Sequence, residues 1–190
     1  MSRVRPALFL DRDGVINIEK DYVYQISDFE FVDGIFDLCQ QASDSGMAIV
    51  VVTNQAGIGR GYYTESQFWA LSDWMCDRFS EQGITIDALY FCPYHPKHGV
   101  GDYRCESYDR KPNPGMILRA QADLALDLEH SILVGDKVSD ISAARAAGVG
   151  LTVILGSAFV AHEAGSEPDI QADSLQEVRE RLFGMSEPPT

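Results

Sequence analysis

Residues 8–14 read LFLDRDG, an apolar run that stops at two aspartates one residue apart and then a glycine. A carboxylate at the tip of a buried strand is costly unless a cation or hydrogen bonds pair with it. Two such groups together call for a cation, and a turn directly after them sets both at an open edge. The pair can hold a hard metal ion, and an aspartate so placed can attack phosphorus and carry the phosphoryl group as an aspartyl-phosphate. Three further segments supply matching chemistry. VVTNQ (51–55) ends an apolar run in a hydroxyl and two amides, RKP (110–112) brings two cations, and VGDKVSD (134–140) ends a second apolar run in Asp136, Lys137 and Asp140. Phosphoryl transfer needs a nucleophile, a metal, neutralising charge and positioning donors, and this set contains each.

These groups act together only if the fold gathers them. Strand-like and helical patterns alternate along the chain. ALFLD (7–11) reads as a first strand. Ile35, Leu38, Cys39 and Ala42 give a helical spacing over 34–45 that stops at Gly46. MAIVVVT (47–53) is apolar throughout, as in the middle of a parallel sheet. Thr64 and Gln67 form a capping box before a helix whose apolar face is Phe68, Leu71, Trp74, Met75 and Phe79, ended by Gly83. IDALYFC (86–92), SILVGD (131–136) and LTVIL (151–155) read as further strands. Asn113 is expected as the cap, and Pro114 as the first residue, of another helix. A helix runs to Gly148, 173–183 closes the fold, and 184–190 is expected as a loose tail. This order predicts an α/β fold, a doubly wound parallel sheet in one domain over 1–190 with its core in 7–183. In such a sheet the carboxyl ends of the strands share one edge, where ligands bind. The loop 93–112 is long enough to be functional.

The order and spacing of DRDGV (11–15), VVTNQ, RKP and VGDKVSD resemble the four motifs of the haloacid dehalogenase superfamily of phosphohydrolases. DYV (21–23), DFEFVDG (28–34), TNQAGIGRG (53–61), CPYHP (92–96) and RKPNPGM (110–116) are similar to segments of the heptose bisphosphate phosphatases and of their relatives, the histidinol-phosphate phosphatases. The likeness spans residues 7–156. It implies Asp11 as nucleophile and Asp13 as general acid, then base. It implies Mg²⁺ between the side chains of Asp11 and Asp136 and the backbone carbonyl of Asp13, with Thr53 and Lys111 on the phosphoryl oxygens. Arg12, Asn54, Gln55 and Arg110 are carried over as substrate contacts, with Lys137 and Asp140 in secondary roles. Relatives also bind zinc in the long loop through a C-x-H … C-x-C pattern. Here only Cys92 of that pattern remains, because Tyr94, Ser107 and Asp109 stand at the other positions. A shifted set of Cys92, His95, Cys105 and Asp109 is the remaining zinc candidate. The expected state is a metal-free loop held by Tyr94, Tyr103, Tyr108 and its prolines. Neither the interval from Asp11 to Thr53 nor that from Thr53 to Lys111 holds a separate cap domain, so the site should be open and roofed by 17–30 and 92–110. Heptose bisphosphate losing its 7-phosphate is the leading substrate, with histidinol phosphate as an alternative. A receiver-type phospho-aspartate domain is the alternative of another class, and Asp13 speaks against it.

The 190 residues, 45% hydrophobic, suit one folded domain. A net charge of −14 argues against nucleic acid and anionic membranes as partners and leaves a small phosphorylated sugar. The opening segment reads as strand rather than signal peptide, so a cytoplasmic monomer is expected. The four cysteines suggest no disulfide framework. His98, His130 and His162 are assigned to the surface, and Glu65, Asp73, Asp77 and Glu81 to a solvated helix face.

Overall fold

The computed structural model describes residues 4–156 and 167–184. His162 and the tail beyond Gly184 lie outside the described residues. Six strands form the sheet: β1 (Ala7–Leu10), β2 (Ala48–Asn54), β3 (Ala88–Cys92), β4 (Ile132–Gly135), β5 (Leu151–Leu155) and β6 (Ile170–Ala172). Their order is β3-β2-β1-β4-β5-β6, and every neighbouring pair is parallel. The expected doubly wound parallel sheet is therefore present. β6 was not expected, because three residues of mixed polarity show no periodicity.

The helices are α1 (Ile35–Asp44), α2 (Ala56–Gly59), α3 (Glu65–Glu81), α4 (Gly115–Leu124), α5 (Val138–Ala147) and α6 (Leu175–Phe183). Successive strand residues point to opposite faces, which divides the core in two. Leu8, Leu10, Ile49 and Val51 face one way and bury Leu38 of α1, Met75 and Phe79 of α3, and Val178 of α6. Ala7, Phe9, Val50 and Val52 face the other way and bury Ile117 of α4 and Ala143 and Ala144 of α5. Both faces are covered, so the central strands are apolar throughout.

The Thr64 capping box forms as expected. Thr64 Oγ1 accepts from the Gln67 N–H at 3.2 Å, and Gln67 Oε1 accepts from the Thr64 N–H at 2.9 Å. The Asn113 cap does not form. Helix α4 starts one residue later than expected, with Pro114 at the cap position, and Asn113 donates through Nδ2 to the Ser107 carbonyl at 3.0 Å. The loop ahead of α4 takes Asn113 into its own turn, and the Gly115 N–H goes to the Tyr108 carbonyl at 3.0 Å.

Among the described residues no helix is long and apolar enough to cross a membrane.

Losing the capping oxygen leaves an N-terminal donor of α3 without its partner. Thr64→Ala is expected to lower unfolding stability by about 1 kcal/mol in urea denaturation. A loss under about 0.3 kcal/mol would mean that water serves that donor equally well.

Candidate active site

The strand order places β1 between β2 and β4, at the point where the winding reverses. Leu10 is in register with Val51 on one side and Val134 on the other, so Asp11 emerges between the two neighbouring strand ends. Its N–H is still bound to the Val134 carbonyl at 3.1 Å. Asp136 follows β4 directly, and Asp140 lies in the first turn of α5. Asp11, Asp136 and Asp140 offer carboxylate oxygens that all lie within 4.8 Å of one another. Gly14 makes room for this approach. It has φ +91°, and a Cβ there would stand 2.2 Å from Asp136 Oδ2.

Lys111 reaches into the same space and is almost fully buried. Its Nζ lies 3.1 Å from Asp11 Oδ1 and 2.6 Å from Asp140 Oδ1, and it donates to the Val52 carbonyl at 2.9 Å. Asp140 Oδ2 accepts from the N–H groups of Asp136 and Lys137, at 3.2 and 3.0 Å. Asp140 therefore caps α5 and anchors Lys111. Lys137 instead lies against Glu19 at 3.2 Å and Asp136 at 3.4 Å.

One buried ammonium serves the two buried carboxylates of Asp11 and Asp140, and the half-buried Asp136 has Lys137 beside it. Burial pushes Asp11 up to about 7 against the pull of Lys111, with Asp140, Asp136 and Asp13 adding to the rise. Burial likewise pushes Asp136 up to about 6 despite Lys137. Burial lowers the Lys111 ammonium, but Asp11 and Asp140 outweigh it and hold the lysine above its ordinary range. Asp136 Oδ1 is buried and has no hydrogen-bond partner among the described residues. An all-oxygen, electron-rich pocket with an orphaned oxygen fits a hard divalent ion.

The carboxylate of Asp13 does not join this group, which leaves its backbone carbonyl as the ligand implied by the resemblance. Arg12 Nη2 lies 2.9 and 3.0 Å from its two oxygens, and Asn17 Nδ2 donates to Oδ1 at 3.1 Å. Gln55 Nε2 donates to Asp13 Oδ2 and to Thr53 Oγ1, each at 2.9 Å. One expected substrate contact is corrected here, and two that line the cleft also hold neighbouring groups. Arg12 is wholly buried, held by Asp13 and by the Val23 carbonyl at 2.7 Å, so it cannot reach a substrate. The amide of Gln55 is committed to its neighbours. Asn54 borders the cleft, but its Oδ1 accepts from the Lys111 N–H and its Nδ2 donates to the Lys111 carbonyl, both at 3.0 Å. Asn54 thus clamps the backbone that delivers Lys111.

A cleft of about 520 Å³ opens over Asp13 and Lys111, bounded by Glu19, Asp21 and Tyr22 on one side and His95 and Arg110 on the other. These belong to the two segments expected as its roof. In the long loop Tyr94 and Tyr103 meet at 5.9 Å, and Tyr103 donates to Glu65 at 2.8 Å. Glu65 is therefore an anchor of the loop, not simply part of a solvated face. Tyr108 is 63% exposed and holds the loop through its carbonyl, which accepts from the Gly115 N–H, rather than through its ring. The shifted zinc set does not assemble among the described residues. Cys105 is exposed, Asp109 pairs with Arg119 at 2.5 Å, and His95 Nδ1 accepts from the backbone N–H groups of Lys97 and His98. Tyr63 and Asn17 were not anticipated, since each belongs to the site only through folding and follows no motif spacing, and Arg60, though inside the segment TNQAGIGRG, was not singled out.

The fold and the site define a class, the phosphohydrolases of haloacid dehalogenase type, and a family model described as HAD-hydrolase-like matches residues 108–178. The D-glycero-alpha-D-manno-heptose-1,7-bisphosphate 7-phosphatase of Burkholderia mallei is 60% identical over 149 residues, covering 78% of this chain and 79% of that one. The D-glycero-beta-D-manno-heptose-1,7-bisphosphate 7-phosphatase of Escherichia coli K12 is 40% identical over 189 residues, 99% of each chain. A solved structure of the D,D-heptose 1,7-bisphosphate phosphatase from B. bronchiseptica, complexed with magnesium and phosphate, has a TM-score of 0.77 at 25% identity and covers 94% of this chain and 98% of that one. The chain belongs to the heptose-1,7-bisphosphate 7-phosphatase family and is a phosphoric monoester hydrolase. This sets aside the receiver-domain alternative.

The raised carboxylate pKa values have a definite sign. The folded values, about 7 and about 6, lie above the ordinary 3.8, so the metal-free protein loses stability as pH rises from about 4 to about 7. A divalent ion offsets that loss only where the carboxylates are ionised. Thermal melts with and without Mg²⁺ should therefore show a gain of several degrees near pH 8 that shrinks toward about pH 5. An equal gain at both pH values would contradict the carboxylate pocket as the ion's site.

Proposed function

We propose that this protein removes the 7-phosphate of D-glycero-D-manno-heptose 1,7-bisphosphate through an aspartyl-phosphate on Asp11. The observation that carries the reading is the convergence of Asp11, Lys111 and the Asp136 carboxylate at the β1 edge, with Asp13 held beside them at the floor of the cleft. Both donors to Asp11, the Arg12 N–H at 2.7 Å and Lys111 at 3.1 Å, sit on Oδ1, which leaves Oδ2 for attack on phosphorus. Lys111 and the Thr53 hydroxyl stand where they can take up charge on the transferring oxygens. Asp13 gives its proton to the departing sugar oxygen, then takes one from the water that hydrolyses the aspartyl-phosphate. Mg²⁺, held by Asp11, Asp136 and the Asp13 carbonyl, would supply charge neutralisation between the carboxylate and the phosphate it attacks.

The cleft wall favours a bisphosphate. Its charged lining residues are Arg60, Arg110, Lys111 and Lys137 against Asp13, Glu19 and Asp21, a positive balance in a chain of net charge −14. Arg60 Nε is buried without a hydrogen-bond partner among the described residues, and Arg110 spends one nitrogen on the Tyr94 carbonyl at 3.1 Å. Burial and the nearby Arg110, His98, Arg60 and Lys97 lower the His95 pKa, which marks a local excess of cations. A second phosphate suits this wall, whereas the ammonium of histidinol phosphate would meet like charge. The names of relatives add the anomer. The more similar of the two described is named for the α form, and this chain is assigned the same preference.

Steady-state kinetics on both heptose bisphosphate anomers and on histidinol phosphate test the reading. The α-bisphosphate should exceed histidinol phosphate in kcat/KM by about tenfold or more, equivalent to about 1.4 kcal/mol of transition-state binding. Asp11→Asn should abolish turnover by about three orders of magnitude or more. A preference for histidinol phosphate overturns the substrate, and an active Asp11→Asn protein overturns the mechanism.

A further inference from the structure

An acid that must meet a leaving oxygen has to be aimed, and three side chains aim Asp13. Arg12 carries only donors, and the Asn17 amide is set by the Ile18 carbonyl, an acceptor that takes from its Nδ2 at 3.0 Å. The second partner of the Gln55 amide is the Thr53 hydroxyl, which can donate or accept and leaves that amide able to turn end for end. Reversed, Oε1 would face the carboxylate, acceptor against acceptor, and the donor to Oδ2 would be lost. Tyr63 removes that freedom, because its hydroxyl donates to Gln55 Oε1. With Oε1 engaged, both hydrogens of Nε2 are directed at Asp13 Oδ2 and Thr53 Oγ1.

Tyr63 is itself firmly seated. It is 5% exposed, and its ring stacks on Tyr24 with centroids 5.2 Å apart and planes within 6°. Gly57 closes the other approach, since a Cβ there would stand 2.2 Å from Tyr63 Cε1. Burial raises the phenol well above its ordinary range, so the hydroxyl remains protonated and able to donate. The segment GYYT that carries Tyr63 matches none of the four motifs.

We propose that Tyr63 is a positioning residue for the phosphatase reaction: its hydroxyl fixes the direction of the Gln55 amide, and through it the aim of the Asp13 carboxylate. The assignment rests on the reading of Asp13 as the general acid. It concerns the acid step above all, so its loss depends on how much help the leaving group needs. A sugar alkoxide leaves only with a proton, whereas p-nitrophenolate leaves without one.

The test compares kcat/KM, which reports only the steps up to the first phosphoryl transfer, on heptose bisphosphate and on p-nitrophenyl phosphate. Tyr63→Phe keeps the stacked ring and removes the hydroxyl. It should lower the sugar value about tenfold and the p-nitrophenyl value about twofold or less. Gln55→Leu should show the same split, and Tyr63→Phe added to it should cost nothing further. Gln55→Leu carries the comparison alone if Tyr63→Phe fails to melt cooperatively. Equal losses on both substrates, no loss on either, or additive losses in the double variant overturn the assignment. Asp13→Asn on the same pair separates the two levels. A split with Asp13→Asn but none with Tyr63→Phe overturns only the role given to Tyr63, whereas equal losses with Asp13→Asn overturn the acid role and this assignment with it.

Discussion

Three carboxylates gathered about one buried ammonium, where the sheet reverses its winding, are the constraint on which the molecule depends. Three carboxylates within 4.8 Å of one another, with Lys111 on Asp11 and Asp140 and Lys137 on Asp136, carry an electrostatic cost. The turn that leads into α5 meets part of that cost by presenting the Asp136 and Lys137 N–H groups to Asp140. A divalent ion bound there would offset the remainder. Strong parallel pairing on both sides of β1 keeps the edge rigid enough to hold the imbalance in place.

Outside that centre, most polar side chains near the cleft serve to hold others. Asn54 brackets the Lys111 backbone from the end of β2 and delivers the lysine to a carboxylate from another strand. Arg12 and Asn17 fix one side of Asp13, and Gln55 the other. Glu65 ties the long loop to α3 through Tyr103. The groups free to meet a substrate are correspondingly few, and the cations among them line the cleft wall. A protein of strongly negative net charge thus gathers Arg60, Arg110, Lys111 and Lys137 around this one cleft.

What sequence reasoning recovered follows from range. β2 was legible because seven consecutive residues carry one signal, and the Thr64 box because its partners are three positions apart. Asp11 and Asp136 were legible because each ends an apolar run. β6 was not, since it is a strand only by pairing with β5. Asn113 looked like a cap by residue type, but Ser107 claims it from a distance that no local pattern encodes. Arg12 was expected as a substrate contact from the resemblance alone. The turn after β1 sends it inward instead, over the ring of Phe68 at 5.7 Å. Tyr63 showed nothing in its own segment, because its role depends on a glutamine eight positions earlier that folding turns toward it.

Rapid acid quenching during turnover of the heptose bisphosphate, followed by peptide mapping, addresses the central claim most directly. The account predicts a covalent phosphoryl group on the peptide that contains Asp11, dependent on Mg²⁺ and absent from Asp11→Asn. Phosphate release with no phosphoryl-peptide at any quench time, or a phosphoryl group on another residue, would contradict it.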